Sequence, residues 1–316
     1  MKNLCFLILV LLFAVACTTQ SETQNLDQTL FSLTSDPQVF KISHTTSDTI
    51  TTASRTRILI PTGSLVDSLG NVPDKSITIE IREASTKSEM ILNNISTVAD
   101  HHLLESTAMF HIDASSGNRR LRIKDGSSLQ VLIPAAELTD DLGIFYGTST
   151  NRIIEWKADS SVTHTITFEA LKMMETGDEV GELLTSMSDS ELDREFLVPM
   201  PFNKLGWINC DRFVDTPARK PLTITTRSDM EVDAFIVFRD IKSVIAAIPE
   251  SPGKIITDSI PNGFATDIIL LGQKNHQRFY GNLEHTTGTS DSVAIEMKEI
   301  SKGDLLKVLR RLDSSN

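Results

Sequence analysis

The residues with the most chemical potential in this chain sit in a few short phrases. Cys210 lies in Gly206-Trp207-Ile208-Asn209-Cys210-Asp211-Arg212-Phe213 and is one of three cysteines, with Cys5 and Cys17. A nucleophilic thiol needs its pKa lowered by a positioned base or a helix N-terminus, and Asp211 next door would raise it. Trp207, Cys210 and Phe213 therefore read as core residues, because Cys is among the most buried residue types and large apolar neighbours pack around it. His101, His102 and Glu105, with His111 further on, form the best metal set, since imidazole and carboxylate suit zinc. Adjacent strand residues point to opposite faces, however, and Asp100-His101-His102 reads as the tip of a turn, so solvated histidines and no metal are expected.

Other motifs fall short of a catalytic signature. Asp67-Ser68-Leu69-Gly70-Asn71, and Asp113 with Gly117, lack the alternating oxygen ligands of an EF-hand calcium loop. Ser251-Pro252-Gly253-Lys254 has the S-x-x-K spacing of serine acyltransferases, but Pro252-Gly253 opposes the helix that would bring Lys beside Ser, so it reads as a loop. There is no G-x-S-x-G, H-E-x-x-H, Walker or dinucleotide-binding motif. A carboxylate pair remains as the rival chemistry: Asp140 with Glu137, or Asp211 with a second acid. Glycosidases hold two carboxyls roughly 5 to 9.5 Å apart, a distance that only tertiary structure sets.

The elements that position these groups read as strands. Ile77, Ile79 and Ile81 alternate with Thr78, Glu80 and Arg82, the period of two of a half-buried strand. Gly63, Gly70 with Asn71, and Pro73 with Asp74 supply turns. Short β-branched and aromatic runs follow at 121–124, 129–133, 143–147, 153–156 and 162–168, spaced as in a sandwich. A first β-sandwich module is thus expected over 37–170, an acidic linker over 171–195 and a second, mainly β module over 196–316. The linker reads as a solvated acidic spacer, with a calcium-binding surface as its alternative. In the second module the runs at 222–225, 232–238, 243–246, 265–271, 279–281 and 293–297 read as strands. At the end, Leu305, Leu306, Val308, Leu309 and Leu312 form a helical stripe that is expected to dock on its own sheet, with Ser301 as cap. The fold class is mainly β: two sandwich-like modules, the acidic linker and a C-terminal amphipathic helix.

The N-terminus gives an address. Residues 1–16 carry one basic residue, Lys2, and an apolar run too short for the roughly 20-residue helix that spans a bilayer core, so they read as a signal peptide. Ala14-Val15-Ala16-Cys17 resembles the lipobox of bacterial lipoproteins, with Ala14 where Leu is usual. That resemblance implies acylation of Cys17, and two or more chains hold where one binds marginally. Residues 17–36 are polar and hydroxyl-rich and are expected to be a tether. The net charge of −12 makes nucleic acid an unsuitable partner.

The phrase Ile58-Leu59-Ile60-Pro61-Thr62-Gly63, followed by the Ile77 to Ile81 alternation, is similar to the ZU5 β-sandwich module. More broadly, the mature chain resembles a group of uncharacterised envelope lipoproteins of Bacteroidota. The phrases that carry this are Ser88-Glu89-Met90-Ile91-Leu92, Leu103-Leu104-Glu105-Ser106, Phe145-Tyr146-Gly147 and Leu205-Gly206-Trp207-Ile208-Asn209-Cys210-Asp211-Arg212-Phe213. The resemblance implies location and fold rather than an activity, and ZU5 modules elsewhere serve protein contacts. The expected protein is non-enzymatic and without a cofactor: lipid-anchored at the cell envelope, on the outer membrane, binding an envelope protein or glycan. The alternative is a hydrolase or transferase acting on envelope glycan or other polymers.

Overall fold

In the strand Ile77–Glu83, Ile77, Ile79 and Ile81 are buried while Glu80 is exposed, as the alternation requires. The computed structural model describes residues 32–134, 142–150, 153–159, 197–216, 218–227, 229–257 and 260–314, together with Leu26 and Leu30. Residues 1–16, Cys17, the expected strand at 162–168, the acidic linker, Glu137 and Asp140 lie outside the described residues.

Ile77–Glu83 pairs antiparallel with Gln38–Ile42 on one side and with the long strand His102–Ser116 on the other. His102–Ser116 then pairs with Gly206–Phe213, that strand with Gly143–Thr150, and the next with Ile153–Ala158. Ile153–Ala158 pairs in parallel with Ile95–Ala99, which returns to the start of His102–Ser116. Five strands thus close into a ring. A second sheet runs in the order Leu197–Phe202, Leu129–Pro134, Arg57–Ile60, Asp48–Thr51. Leu197–Phe202 contains Pro199 and Pro201, and its place at the edge suits residues that have no N–H to give a ladder. Ile58, Ile79, Phe110, Val131, Phe202 and Cys210 are among the side chains that fill the space between the sheets.

These pairings move the expected module boundary. Residues 197–213, expected to open the second module, supply an edge strand and an inner strand of the first. Met200, Phe202, Ile208 and Cys210 find their burial there. Strand order in space need not follow order in the chain, so the composition shift at 171–195 does not separate the sandwich strands described on either side of it.

The second module stacks the sheet Val244–Ala247, Glu231–Phe238, Ala265–Lys274, Gln277–Thr286, Lys298–Ile300 against smaller strands at Pro249–Ser251, Lys254–Ile256, Thr223–Thr225 and Ser292–Ala294. Glu231–Phe238 is buried at every position after the first, Asp233 included.

A third apolar cluster joins the two modules. The helix Lys87–Leu92 (α1) has a Thr86 cap with Glu89 reaching back, and it contributes Met90, Ile91 and Leu92. The helix Lys302–Arg311 (α2), capped by Ser301, contributes Leu305 and Leu309, with Leu312 just beyond. Phe235, Val237, Ile269 and Leu271 of the second module complete the contact. The α2 stripe therefore does more than dock on its own sheet: Asp313 accepts hydrogen bonds from Ser88 N at 2.8 Å and Ser88 Oγ at 2.6 Å, bonding the tail to the first module.

The tether expectation is also corrected for the part described. Leu26, Leu30 and Leu33 are buried in this joining cluster, Leu26 N donates to Glu231 Oε2 at 3.0 Å, and Arg82 Nη1 donates to Thr34 Oγ1 at 2.7 Å. The signal was present as an i, i+4, i+7 leucine spacing, hidden in a hydroxyl-rich context.

Gly147 marks the tightest point of the ring. A Cβ there would lie 2.7 Å from Trp207 Cβ, 2.8 Å from Ile154 Cγ2 and 2.9 Å from Trp156 Cζ3. Gly147→Ala is expected to destabilise the fold by about 1–3 kcal/mol, read by chemical denaturation, because three ring side chains must shift.

Candidate functional site

Gly206–Phe213 divides the candidate residues between environments. Ile208 and Cys210 face the sandwich core, whereas Trp207 packs against the cluster that joins the modules. Cys210 is a free, buried thiol, and burial, reinforced by Asp211, pushes its pKa well above the usual thiol range. It is a packing residue with no thiolate to offer. Trp207 is half-buried, edge-on to His111 with ring centres 5.3 Å apart.

Phe213 departs from its expected core role. It ends its strand at 44% exposure, over the buried Phe145 at 5.4 Å and beside His102 at 5.7 Å, both edge-on. Phe145 takes the interior place, so the last side chain of the strand overhangs. The strand register then assembles a corner from residues more than a hundred positions apart. Arg212 lies opposite Glu105 and Phe213 opposite Leu104.

Asp100 and His101 form the two-residue hairpin turn before this corner, with φ of +46° and +65°, the twist that such hairpins use. His101 and His102 are exposed, and Glu105 is ion-paired with Arg212. The metal candidates are thus brought to one corner, but the carboxylate among them is committed to a guanidinium. Among the described residues no group of three or more His, Cys, Asp or Glu side chains is placed to hold a metal ion. Asp67, the first residue of the calcium-like phrase, accepts from Leu69 N and Asn71 N at 2.9 Å each and from Arg119 Nη1 at 3.2 Å. Its oxygens serve the loop itself.

A polar cluster that sequence reasoning missed lies behind the corner. Ser106 Oγ donates to Asn209 Oδ1 at 3.1 Å, and Asn209 Nδ2 donates to Asp211 Oδ2. Asp211 is fully buried and its Oδ1 has no hydrogen-bond partner. Burial drives its carboxyl far above the usual range; Ser106, Asn209, Lys242 and the Thr107 backbone favour the charged form but do not offset the lost hydration. The cluster abuts the second module. Lys242 Nζ donates to Thr107 O at 2.8 Å, Ser106 N to Lys242 O at 3.0 Å, and Thr97 Oγ1 lies 2.6 Å from Ser243 Oγ. The sequence signal was Asn209 and Asp211 on either side of Cys210 in an otherwise apolar stretch, without their partners in view.

Two surface grooves bear on the carboxylate rival. One, of about 490 Å³, is lined by Met230, Val232, Pro249, Pro252 and Ile255 with three acids. Asp229 is tied to Arg227 and Lys274, Glu250 to Lys254, and Glu231 takes the Leu26 N–H. Ser251 and Lys254 flank a β-turn here, with Gly253 at φ +76°, so the S-x-x-K phrase opens no helix. The other groove, of about 240 Å³, also holds three acids. Glu89 caps α1, Asp313 binds Ser88, and Glu83 binds Thr52 and Gln38. Burial would raise Glu83, but the donors around it win and hold it below the usual range. Neither groove is lined by an aromatic side chain, whereas a third, of about 310 Å³, sets Glu296 and Glu299 beside Tyr280.

No protein-family model matches the chain, and a search of curated proteins finds no match either.

Proposed function

We propose that this protein is a lipid-anchored, non-catalytic binding or scaffold protein of the cell envelope, and that the corner of His101, His102, Arg212 and Phe213 is its recognition face. The observation that carries this reading is the exposed Phe213, held by edge-on contacts to Phe145 and His102. The closed strand ring and the inter-module bonds hold that corner in place before a partner arrives, which reduces the entropy lost on binding. An aromatic anchor beside an Arg is the composition that binding hot spots favour. The acids of the two grooves at Asp229 and Glu89 support the non-catalytic side, since each of those six has a structural task. The address rests on the resemblance of the Cys17 phrase to a lipobox, which makes the membrane the first partner and an envelope protein or glycan the second.

Two measurements test the two halves. Cys17→Ser is expected to abolish incorporation of a labelled fatty acid into the protein in growing cells; a variant that still takes up the label removes the anchor. A photo-crosslinking phenylalanine analogue at position 213 is expected to give one defined adduct in intact cells, lost when His102→Ala and Arg212→Ala are added. Turnover of envelope glycan by the purified protein would instead favour the hydrolase alternative.

A further inference from the structure

We propose that the loop joining Leu65–Val66 to Ile77–Glu83 is a membrane-contacting tip that inserts Leu69 and Val72 into an anionic lipid surface. Leu69 is 84% exposed and Val72 50%, three positions apart in one loop. A leucine so exposed is ordinary on a flexible loop, but this loop is built to hold it. Asp67 N donates to Asn71 O and Gly70 N to Asp67 O, at 3.0 Å each, inside the shell of bonds that the Asp67 carboxylate makes. Arg119 Nη2 donates to Asp74 Oδ1 at 2.9 Å, clamping the far side of the loop to the adjacent hairpin. The hydrogen bond from Asn71 N, first among several influences, keeps the Asp67 carboxyl below its ordinary range.

Charge selects the occupant. The adjacent hairpin reads Arg119-Arg120-Leu121-Arg122-Ile123-Lys124, with Leu121 and Ile123 turned into the core and Arg122 opposite Val66. Across 64–76 and 116–126, five basic residues stand against three acidic ones, on a chain whose net charge is −12. Lys75, Arg120 and Lys124 are exposed. An apolar loop that with its adjacent hairpin carries an excess of two positive charges, on an otherwise acidic protein, fits acyl chains beneath anionic headgroups. A fluid surface closes around two exposed side chains, whereas a stable protein interface buries on the order of 1,200 Å² or more of matched area. The inference does not rest on acylation of Cys17 or on the Phe213 corner.

The test uses the full chain carrying Cys5→Ser and Cys17→Ser, with an environment-sensitive dye on Leu69→Cys; Cys210 is buried and stays unlabelled. On vesicles containing phosphatidylglycerol, the dye is expected to shift to the blue and to be quenched by spin-labelled acyl chains. The same dye on Val39→Cys, an exposed apolar position on an edge strand, is expected to stay in water. Arg120→Glu with Lys124→Glu should weaken the quenching response at least about tenfold in lipid concentration. Residue 69 remaining in water overturns the proposal and leaves the tip to a protein partner. Equal quenching at 39, or equal quenching on pure phosphatidylcholine, overturns it as well.

Discussion

Leu309→Ala is expected to lower the unfolding free energy by about 2–5 kcal/mol, the range for removing a fully buried leucine from a core that only partly collapses. The residue is 1% exposed and belongs to the cluster that both modules share. Its loss opens a cavity against residues from both halves, so the effect reaches beyond α2. The neighbouring Leu306 is only half-buried, and Leu306→Ala should cost clearly less. A urea titration followed by Trp156 and Trp207 fluorescence reports on the first module at the face it turns to the joining cluster, because both tryptophans lie on its strands and pack there. Far-ultraviolet circular dichroism reports on the two modules together. Coincident, lowered midpoints are the expected result. An unchanged fluorescence midpoint would mean that α2 supports the second module alone.

The second large effect is a dependence on pH centred on Asp211. Its folded carboxyl lies well above the ordinary value of 3.8 that the unfolded chain retains. Below that value both states hold the proton and the residue carries no penalty. As the pH rises, the unfolded chain releases its proton first, so folding weakens by up to about 1.4 kcal/mol per pH unit until the folded carboxyl also ionises. Above that point the penalty is constant. Asp211→Asn removes the slope: relative to the parent, the variant should gain stability steadily from pH 4 upward, as read from urea midpoints at fixed ionic strength. A difference that does not change with pH would mean that Asp211 ionises normally despite its burial. Asp211→Ala, by contrast, strands Asn209 Nδ2 and should cost about 1–3 kcal/mol near pH 4.

Both effects arise at the seam between the modules, and that seam is where the linear reading was least informed. Lys242 and Thr107 are 135 positions apart, Ser88 and Asp313 225. No periodicity within either segment encodes the other. The same holds for the corner residues: His102 and Phe213 were singled out separately, for a metal set and for a core, and their contact follows from strand register alone.

What the chain determined by itself is local. Alternation fixed the half-buried strand Ile77–Glu83, a β-branched and aromatic run the strand Glu231–Phe238, and the Ser301 cap with the leucine stripe the helix α2. The acid beside Cys210 and its apolar neighbours were enough to make it a packing residue. Each of these depends on neighbours within a few residues, where backbone period and side-chain chemistry act directly. Tertiary structure alone decided that 197–213 complete the first sandwich, that five strands close into a ring, that Leu26, Leu30 and Leu33 are interior, and that Phe213 overhangs. The physical reason is common to all four. An apolar side chain requires burial but does not specify against what, and that choice is settled by which distant surfaces fit together with their backbone hydrogen bonds satisfied.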